Sequence, residues 1–350
     1  MAPSGFEIDG RRIGPGEPPY VVAEMSANHG GDFQRAVKIV EAAADAGADA
    51  VKLQTYSPEG LTLDCDRPCF RIEGTIWSGQ TLHELYRAAS TPWQWQPELK
   101  RIAGDLGLQL FCSAFDFEAV DFLEQMGVPA YKIASFELVD LPLLGRVAAT
   151  GKPIILSTGM ATLAEIDEAV RTVYAAGGSQ LALLKCTSAY PAEPEEMNLR
   201  AIPHLADRFG LPVGLSDHTL DAAVPVAAVA LGASVLEKHL TLCRADGGPD
   251  GPFSMEPHEL RQMVRAVRSA HRALGEVRYG LSESEKAGYR LRRSLFAAAD
   301  IEAGEQFTNR NVRSIRPADG LHPRHLESIL GRTARCHIER GTPLDWGHLG

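Results

Sequence analysis

Short apolar segments recur at regular intervals along the first 240 residues, and segments with helical periodicity separate most of them. Helical periodicity is clear over Phe33 to Ala46, Phe117 to Met126 and Ala164 to Ala176, where apolar residues return every three or four positions. The apolar segments predict eight strands, at Tyr20–Glu24, Ala50–Gln54, Leu108–Cys112, Ala130–Ser135, Pro153–Ser157, Leu181–Cys186, Pro212–Ser216 and Ser234–Leu240. Eight strand–helix units in roughly 250 residues predict the α/β class, and specifically a (β/α)8 TIM barrel rather than an open sheet.

The segments that flank these units predict further structure at both ends of the chain. Near the N-terminus, Asp9-Gly10 separates two short apolar stretches and predicts a β-hairpin that plugs one end of the barrel. After a helix over Glu259 to Leu274, the pattern changes to a charged stretch and then to short strands with glycine-containing turns. We therefore predict a barrel domain with an N-terminal hairpin over residues 1–281, a linker over 282–294 and a small β-rich domain over 295–350.

One interval between predicted strands is too long for an ordinary loop. It runs from Tyr56 to Gln96 and contains Trp77, Trp93 and Trp95, three of the four tryptophans. Long connections in compact domains are usually functional. We therefore predict an insertion beside the active site.

Charge and composition narrow the class of partner. The formal net charge of −10 and the pI near 5.6 argue against a general affinity for nucleic acid or for anionic membranes. No apolar run approaches the roughly 18 residues of a membrane span, and the N-terminal residues lack the apolar core of a secretory signal. The six cysteines form no CxxC pair, which favours reduced, structural thiols. We expect a cytoplasmic protein whose partner is a small molecule.

Two histidines, His218 and His239, stand at the ends of predicted strands. Residues at the carboxyl ends of parallel strands converge, so we expect the two imidazoles to meet there. Each one alone is more simply explained as a hydrogen-bonded core histidine. Two at equivalent strand ends, with Asp217, Glu237 and Asp250 nearby, instead favour a divalent metal site.

Four alternate strands each contain a lysine, namely Lys52, Lys132, Lys185 and Lys238. Alternate strands of a TIM barrel contribute side chains to the same interior layer, so we predict that the four ammonium groups converge. A single lysine in a strand is usually a side chain that extends to the rim of the sheet, and that alternative holds for any one of them. A buried cluster of lysines needs anionic partners, so we expect a ligand with several negative charges.

Hydroxyl side chains also follow several predicted strands, namely Ser113, Ser135, Ser157, Ser188 and Ser216. A serine after a strand often only caps the next helix, but hydroxyls collected at one barrel mouth suit phosphate and carboxylate oxygens. Lysines, hydroxyls and a metal together describe a site for a small phosphorylated acid beside a polarised carbonyl, and hence an aldol-type condensation. The candidate general bases are Glu24, Glu237 and Asp250, each of which is alternatively a surface carboxylate.

Seven short motifs resemble those of the sialic acid synthase family. They are EMSANH (Glu24 to His29), KLQTY (Lys52 to Tyr56), YKIAS (Tyr131 to Ser135), STGMAT (Ser157 to Thr162), GLSDHT (Gly214 to Thr219), EKH (Glu237 to His239) and GGPD (Gly247 to Asp250). The tail, with VRSIRP (Val312 to Pro317) and RGTPL (Arg340 to Leu344), resembles the C-terminal antifreeze-like (SAF) domain of that family. The resemblance spans nearly the whole chain. It implies a transferase that condenses phosphoenolpyruvate with an acetamido sugar aldehyde to give a nonulosonic acid.

Within the family, EMSANH and TPWQWQPEL (Thr91 to Leu99) are similar to the pseudaminic acid branch. That branch implies 2,4-diacetamido-2,4,6-trideoxy-L-altrose as the sugar. The alternative within the family is a synthase of N-acetylneuraminate or legionaminic acid, which acts on an N-acetylmannosamine-type sugar. Outside the family, a class II aldolase or a 3-deoxy-octulosonate-type synthase would share the lysines and the metal, and a non-catalytic barrel would only bind a sugar acid.

The resemblance also implies roles for residues of the metal and phosphoenolpyruvate sites. His218 and His239 are implied as ligands of Mn2+ or Mg2+, with Glu24 close by through water. Phosphoenolpyruvate is implied to be held by lysines and hydroxyls, namely Lys52, Lys132, Ser113, Ser135, Ser157, Ser188 and Ser216.

On the sugar side, the resemblance implies that Gln54, Tyr190, Glu237 and Asp250 face the sugar or the water. Arg316, in the small domain, is implied to reach an acetamido group of the sugar in a partner's barrel, which requires a domain-swapped homodimer. The residues that we expect to be catalytic are Glu24, Lys52, Lys132 and Asp250.

Overall fold

The computed structural model describes residues 5–350 and contains two compact units. One unit ends at Gly275, and the other runs from Glu276 to Gly350. The predicted linker over 282–294 lies within the second unit, where it forms a short helix and supplies the first residue of a strand. No helix among the described residues is both long enough and apolar enough to cross a membrane.

Eight parallel strands in the described part of the chain close into a barrel. All strands of residues 5–350 are β1 (Phe6–Ile8), β2 (Arg11–Ile13), β3 (Tyr20–Glu24), β4 (Ala50–Thr55), β5 (Gln109–Ala114), β6 (Tyr131–Ile133), β7 (Ile154–Ser157), β8 (Leu181–Cys186), β9 (Val213–Asp217), β10 (Val235–His239), β11 (Ser294–Ala297) and β12 (Val312–Ile315). Strands β3 to β10 pair in chain order, and β10 pairs with β3 to complete the circle. The predicted TIM barrel is therefore confirmed, and every barrel strand overlaps a predicted one.

Helices follow the barrel strands and cover the outside of the sheet. The helices of residues 5–350 are α1 (Phe33–Ala46), α2 (Pro58–Leu61), α3 (Leu82–Ala89), α4 (Gln96–Asp105), α5 (Phe117–Met126), α6 (Leu141–Ala148), α7 (Leu163–Ala175), α8 (Ala201–Phe209), α9 (Ala223–Ala230), α10 (Pro257–Leu274), α11 (Lys286–Tyr289) and α12 (Leu326–Ile329). Helix α1 shows why the ends fall where they do. The Asp32 side chain accepts hydrogen bonds from the N–H groups of Gln34 and Arg35, and Gly47 ends the helix in the left-handed region with φ 85°.

Apolar side chains fill the amino-terminal end of the barrel interior. They come from six of the eight barrel strands, from the residue before β6 and from the hairpin β1–β2, and they are Phe6, Ile8, Ile13, Tyr20, Val22, Ala50, Phe111, Ala130, Ile155, Ala182, Leu184 and Val235. The hairpin turns at Asp9 and Gly10, whose φ angles of 47° and 79° are those of a tight two-residue turn. The predicted plug is confirmed. Because this end is filled, polar side chains in the interior are left at the carboxyl end of the strands.

Strand alternation decides which lysines reach the interior. Lys52 and Lys132 lie on inward-facing positions of β4 and β6, whereas Lys185 and Lys238 lie one residue out of phase and face the helices. Lys238 Nζ lies 2.7 Å from Asp217 Oδ2 on that outer face. The prediction that four lysines converge is therefore wrong for Lys185 and Lys238. Asp217 directly precedes His218 and its charge acts on that histidine, but its carboxylate faces outward with Lys238 and not into the interior.

The second unit is small and rich in strands. Strands β11 and β12 pair antiparallel, and α12 packs with them around an apolar core formed by Leu295, Ala297, Ile301, Phe307, Val312, Ile329, Ala334, Ile338, Leu344 and Leu349. Arg316 directly follows β12, and its side chain is exposed. A small β-rich unit is what the sequence predicts here.

Candidate active site

The carboxyl ends of the barrel strands bring a polar layer together above the apolar plug. Its members lie on inward-facing positions or on the first turns after the strands, and they are Glu24, Lys52, Gln54, Ser113, Lys132, Ser135, Ser157, Ser188, Tyr190, Ser216, His218, Glu237, His239 and Asp250. These are the predicted site residues of the barrel. Nearly all of them are buried, so any charge among them needs a partner or a ligand.

Lys52 occupies the centre of what we call the acidic side, formed by Glu24, Lys52, Gln54, Glu237 and Asp250. Its Nζ lies 2.9 Å from Glu24 Oε2 and 3.3 Å from Glu237 Oε1. Lys52 is 4% exposed, so the two carboxylates supply the compensation that water does not. Burial disfavours the ammonium form, but Glu237 and Glu24 outweigh burial and raise the pKa of Lys52.

The two carboxylates beside Lys52 differ in their protonation equilibria. Burial raises the pKa of Glu24 to about 7, against the opposing effect of Lys52. Burial also disfavours the charged form of Glu237, but the ammonium groups of Lys132 and Lys52 outweigh burial and lower its pKa. Ser216 further stabilises the Glu237 carboxylate by donating a hydrogen bond of 3.2 Å to Oε1. Glu24 is therefore the member of the pair that can hold or release a proton near neutral pH.

Asp250 reaches the acidic side from the loop after β10 and is held there by the loop after β3. Its Oδ2 accepts a hydrogen bond of 3.3 Å from the Ala27 N–H. The Asn28 side chain donates to Ser254 Oγ at 2.8 Å, and Ser254 Oγ donates to the Asp250 carbonyl at 2.6 Å. Burial raises the pKa of Asp250. The two loops therefore form one hydrogen-bonded unit at this edge of the barrel mouth.

Lys132 occupies the opposite edge, which we call the hydroxyl side, formed by Lys132, Ser135, Ser157, Gly159 and Ser188. Its Nζ donates to Ser157 Oγ at 2.7 Å and to the Ile133 carbonyl at 2.8 Å, both of them neutral oxygens. Lys132 is 1% exposed. Burial lowers its pKa to about 8, partly offset by the charge of Glu237. The hydroxyl side thus presents a buried cation that lacks the close carboxylates of Lys52.

Gly159 shapes the hydroxyl side, although sequence reasoning assigned it no role. Its N–H donates to Ser135 Oγ at 3.1 Å. A Cβ atom at this position would lie 2.2 Å from Ser188 Oγ and 2.7 Å from Ser135 Oγ, so only glycine fits between the two hydroxyls. The sequence signal is the glycine directly after Ser157-Thr158, at the start of a predicted loop.

His218 and His239 meet as predicted, with ring centroids 5.3 Å apart. His218 Nδ1 lies 2.9 Å from the Thr187 carbonyl, so Nδ1 carries a proton. Burial disfavours the imidazolium form, but a hydrogen bond with Cys186 outweighs burial and raises the pKa of His218. His239 Nδ1 is buried and makes no hydrogen bond within the described residues. Burial lowers the pKa of His239 well below its usual value, which keeps the imidazole neutral.

Two imidazoles that meet at neighbouring strand ends fit a divalent metal ion. Residues 5–350 contain no group of three or more His, Cys, Asp or Glu side chains arranged to hold a metal. An ion at His218 and His239 would therefore draw its remaining ligands from water or substrate, as open catalytic sites do.

Two further residues lie in the mouth that sequence reasoning did not assign to it. Cys186, and not its neighbour Lys185, occupies the inward-facing position at the end of β8. Burial disfavours the thiolate of Cys186, but a hydrogen bond with His218 outweighs burial and lowers the pKa of the thiol to about 7. Glu137 follows β6, and burial raises its pKa to about 7 against the charge of Lys132. The cysteine was predicted to be structural. Nothing in the local sequence marks either residue, because both depend on strand phase and on loop folding.

The predicted insertion between β4 and β5 reaches the mouth through Trp77. Its indole N–H donates to the Pro249 carbonyl at 2.8 Å. Its ring packs on Tyr190, with centroids 5.5 Å apart, and Tyr190 in turn lies 4.4 Å from the ring of His218. The insertion therefore supplies an aromatic wall beside the two histidines, as its tryptophans suggested.

Comparison with known proteins assigns the family. A model of the NeuB family matches residues 39–279, more than half of the chain, and a model of the SAF domain matches residues 292–350. The chain belongs to the NeuB family. The sequence-based assignment to the sialic acid synthase family, to an enzyme class and to a C-terminal SAF domain is confirmed.

Relatives of this NeuB-family chain match it over nearly its whole length. A pseudaminic acid synthase from Helicobacter pylori is 43% identical over 330 residues, which cover 94% of this chain and 97% of that protein. An N,N'-diacetyllegionaminic acid synthase from Legionella pneumophila is 36% identical, with 94% of each chain covered. Among solved structures, an N-acetylneuraminic acid synthetase from Leptospira borgpetersenii in complex with citrate has a TM-score of 0.73 and 30% identity, covering 82% of this chain and 95% of that one.

Proposed function

We propose that this chain is a pseudaminic acid synthase, which condenses phosphoenolpyruvate with 2,4-diacetamido-2,4,6-trideoxy-L-altrose and water to give pseudaminic acid and phosphate. The identity of 43% with a pseudaminic acid synthase, against 36% with a legionaminic acid synthase, supports the choice of sugar. The reaction type is supported by one observation, namely that the two edges of the barrel mouth hold different charged groups. One edge holds a buried cation without a close carboxylate, and the other holds a buried carboxylate whose pKa is about 7.

The hydroxyl side is suited to the phosphate of phosphoenolpyruvate. Lys132 supplies the charge and contacts the Ser157 hydroxyl, and the hydroxyls of Ser135 and Ser188 approach Gly159, where the missing side chain leaves room for both. A phosphate dianion there would restore the charge balance that burial of Lys132 disturbs. The same groups stabilise the negative charge that leaves with phosphate when the C2–O bond breaks.

The acidic side is suited to proton transfer around the sugar aldehyde and the water. As C3 of phosphoenolpyruvate attacks the aldehyde carbon, the aldehyde oxygen gains a proton, and water adds at C2 and loses one. Glu24 lies beside Lys52 at this edge, and Asp250 lies at the same edge, where it accepts a hydrogen bond from the loop after β3. We assign to Glu24 and Asp250 the holding and moving of these protons, and to Lys52 the balance of their charge.

We further propose that His218 and His239 hold a divalent cation, Mn2+ or Mg2+. When bound, the ion supplies Lewis-acid polarisation of the aldehyde oxygen. The meeting of the two imidazoles, and the Nδ1 of His239 that lacks a hydrogen bond within residues 5–350, support this assignment.

The decisive experiment measures phosphate release from phosphoenolpyruvate in the presence of Mn2+, with the diacetamido-altrose sugar or N-acetylmannosamine as acceptor. We expect release with the altrose sugar and little with N-acetylmannosamine. Preference for N-acetylmannosamine would move the chain to another branch of the family. Release with neither acceptor, in a folded and metal-loaded protein, would overturn the proposal of a synthase. Addition of a chelator tests the metal, because we expect it to abolish release and Mn2+ to restore it.

Arg316 supports a proposal about assembly. We propose a cytoplasmic, domain-swapped homodimer in which the exposed Arg316 of one chain serves the sugar site of the other. Intersubunit complementation tests this assembly. Mixing inactive Arg316→Ala with inactive Glu24→Gln should restore about a quarter of the wild-type activity, since half of the randomly formed dimers would contain one complete site. If each C-terminal unit serves its own barrel, the mixture stays inactive.

A further inference from the structure

Ser26 adopts a backbone conformation that its residue type disfavours, at the edge of the mouth. Its φ of 45° lies in the left-handed region, where a side chain crowds the backbone and glycine is the usual occupant. The residue is 3% exposed, in the turn that follows β3. A buried non-glycine residue held in this region indicates that the side chain makes contacts that compensate for the strain.

The Ser26 hydroxyl lies between two polar groups of the acidic side. Gln54 Nε2 donates to Ser26 Oγ at 2.9 Å and also approaches Glu24 Oε1 at 3.3 Å. On the other side of the turn, the Asp250 carboxylate accepts a hydrogen bond of 3.3 Å from the N–H of Ala27, the residue directly after Ser26. Burial raises the pKa of Asp250, and the nearby Ser26 hydroxyl and the Ala27 N–H counteract that rise. A glycine would relieve the strain but would leave the Gln54 amide without the hydroxyl that accepts from it.

The link determines which atoms of Gln54 and Asp250 remain for a ligand. Because Gln54 uses its Nε2 for Ser26 and Glu24, its carbonyl oxygen Oε1 remains as an acceptor. Asp250 likewise contributes a carboxylate oxygen. Two oriented acceptors at one edge suit the N–H of an acetamido group and a neighbouring hydroxyl of an open-chain sugar.

We propose that Ser26 is a positioning residue, whose left-handed backbone directs its hydroxyl to Gln54 and the following Ala27 N–H to Asp250 and so fixes two acceptors for the acetamido sugar. The proposal rests on the proposed function for the identity of the ligand. The placement of the two acceptors is a property of the protein alone. Ser26 itself need not touch the substrate.

Two substitutions separate the effect of the Ser26 hydroxyl from the effect of its backbone strain. Ser26→Ala removes the hydroxyl and keeps a Cβ atom in the left-handed region, whereas Ser26→Gly removes both. We expect either variant to raise the KM for the sugar roughly tenfold, the effect of one lost hydrogen-bonded link, with the KM for phosphoenolpyruvate and kcat within about twofold. The Tm of Ser26→Gly should exceed that of Ser26→Ala by roughly 2 °C, because both lack the hydroxyl and only glycine adopts φ 45° without strain.

A control for strain relief is available at the far end of the barrel. Asp9 also adopts a left-handed backbone, with φ 47°, in the hairpin turn. Asp9→Gly should change the Tm without changing any kinetic constant. If Ser26 had only a structural role, Ser26→Gly would likewise change the Tm and leave the kinetic constants unchanged. A rise in the KM for the sugar in Ser26→Gly, and not in Asp9→Gly, therefore supports the positioning role of Ser26.

Crystal structures of the two Ser26 variants test the placement independently of activity. We expect the Gln54 amide to leave its position between Glu24 and residue 26, and the Asp250 carboxylate to move. Unchanged positions of both side chains would overturn the inference whatever the enzyme does. An unchanged sugar KM in Ser26→Ala would also overturn it. Failure of the wild-type protein to use the sugar would instead contradict the proposed function and leave the structural comparison as the test of the inference.

Discussion

The two edges of the barrel mouth contain one buried lysine each, and the lysines differ in what surrounds them. Lys52 lies within 3.3 Å of two carboxylates, which raise its pKa. Lys132 contacts neutral oxygens, and burial lowers its pKa to about 8. Lys52 therefore completes a charge-balanced group that handles protons, whereas no carboxylate of residues 5–350 forms an ion pair with Lys132 and Glu237 acts on it only at longer range. The difference identifies the hydroxyl side as the place where a substrate anion gains most from binding.

The largest expected effect comes from removing the cation of the hydroxyl side. Lys132→Met should lower kcat/KM for phosphoenolpyruvate by roughly 10³-fold, because it removes the charged donor aimed at the phosphate. The KM for the sugar should change little. Steady-state kinetics with each substrate varied in turn measure both effects. Lys185→Met is the matched control, since that lysine lies on the next barrel strand but one and faces away from the interior, and we expect less than about a threefold change.

The same substitution should stabilise the fold at neutral pH. Burial lowers the pKa of Lys132 to about 8 from the 10.5 of an exposed lysine, so the charged form destabilises the folded state below pH 8. Lys132→Met should therefore have a higher Tm than the wild type at pH 7. The gap should narrow between about pH 8 and 10.5, where the folded wild-type protein no longer carries the buried charge. A lower Tm at pH 7 would show that Lys132 has a counter-charge in the free enzyme.

The next effect concerns the acidic side. Glu24→Gln keeps the shape of the side chain but cannot accept and release a proton, so kcat should fall roughly 10²-fold. Lys52 keeps Glu237 as a partner, so the KM for phosphoenolpyruvate should stay within about threefold. Parallel measurements of kcat and of both KM values check this expectation. A rise in the KM for phosphoenolpyruvate with an unchanged kcat would mean that both edges bind the phosphoenolpyruvate anion.

The sequence predicted the fold and most of the mouth, but not which side of each strand a residue occupies. Barrel strands are apolar on both faces, so they lack the alternation that would reveal their inward positions. The prediction therefore included Lys185 and missed Cys186, the adjacent residue that faces inward. The meeting of the two histidines was easier to predict, because residues at the carboxyl ends of parallel strands converge whichever face of the strand they occupy.

Residues whose role depends on distant neighbours were also missed. The requirement for glycine at Gly159 comes from Ser188 and Ser135, which follow other strands. The left-handed backbone of Ser26 depends on contacts with Gln54 and on the loop that carries Asp250. No local pattern records such contacts, because they exist only after the barrel closes.

The pH dependence of kcat/KM also distinguishes the two lysines, by a smaller effect than the substitutions above. Lys132 is charged below its pKa of about 8 and neutral above it, whereas the raised pKa of Lys52 keeps that lysine charged throughout. The kcat/KM for phosphoenolpyruvate should therefore fall above pH 8, by about tenfold per pH unit. Phosphoenolpyruvate is already fully ionised there, so the inflection reports the enzyme. Lys132→Met should lack this inflection, and its persistence in that variant would assign it to another group.

The smallest effect compares the hydroxyl neighbours of the two lysines. Ser157 Oγ lies 2.7 Å from Lys132 Nζ, and Ser113 Oγ lies 3.1 Å from Lys52 Nζ. Ser157→Ala should raise the KM for phosphoenolpyruvate about tenfold, because that lysine relies on neutral oxygens and the lost hydroxyl also faces the phosphate. Ser113→Ala should raise it by about threefold or less, since two carboxylates continue to hold Lys52. Equal effects of the two substitutions would remove the distinction between the edges, because each hydroxyl would then contribute to anion binding in the same way.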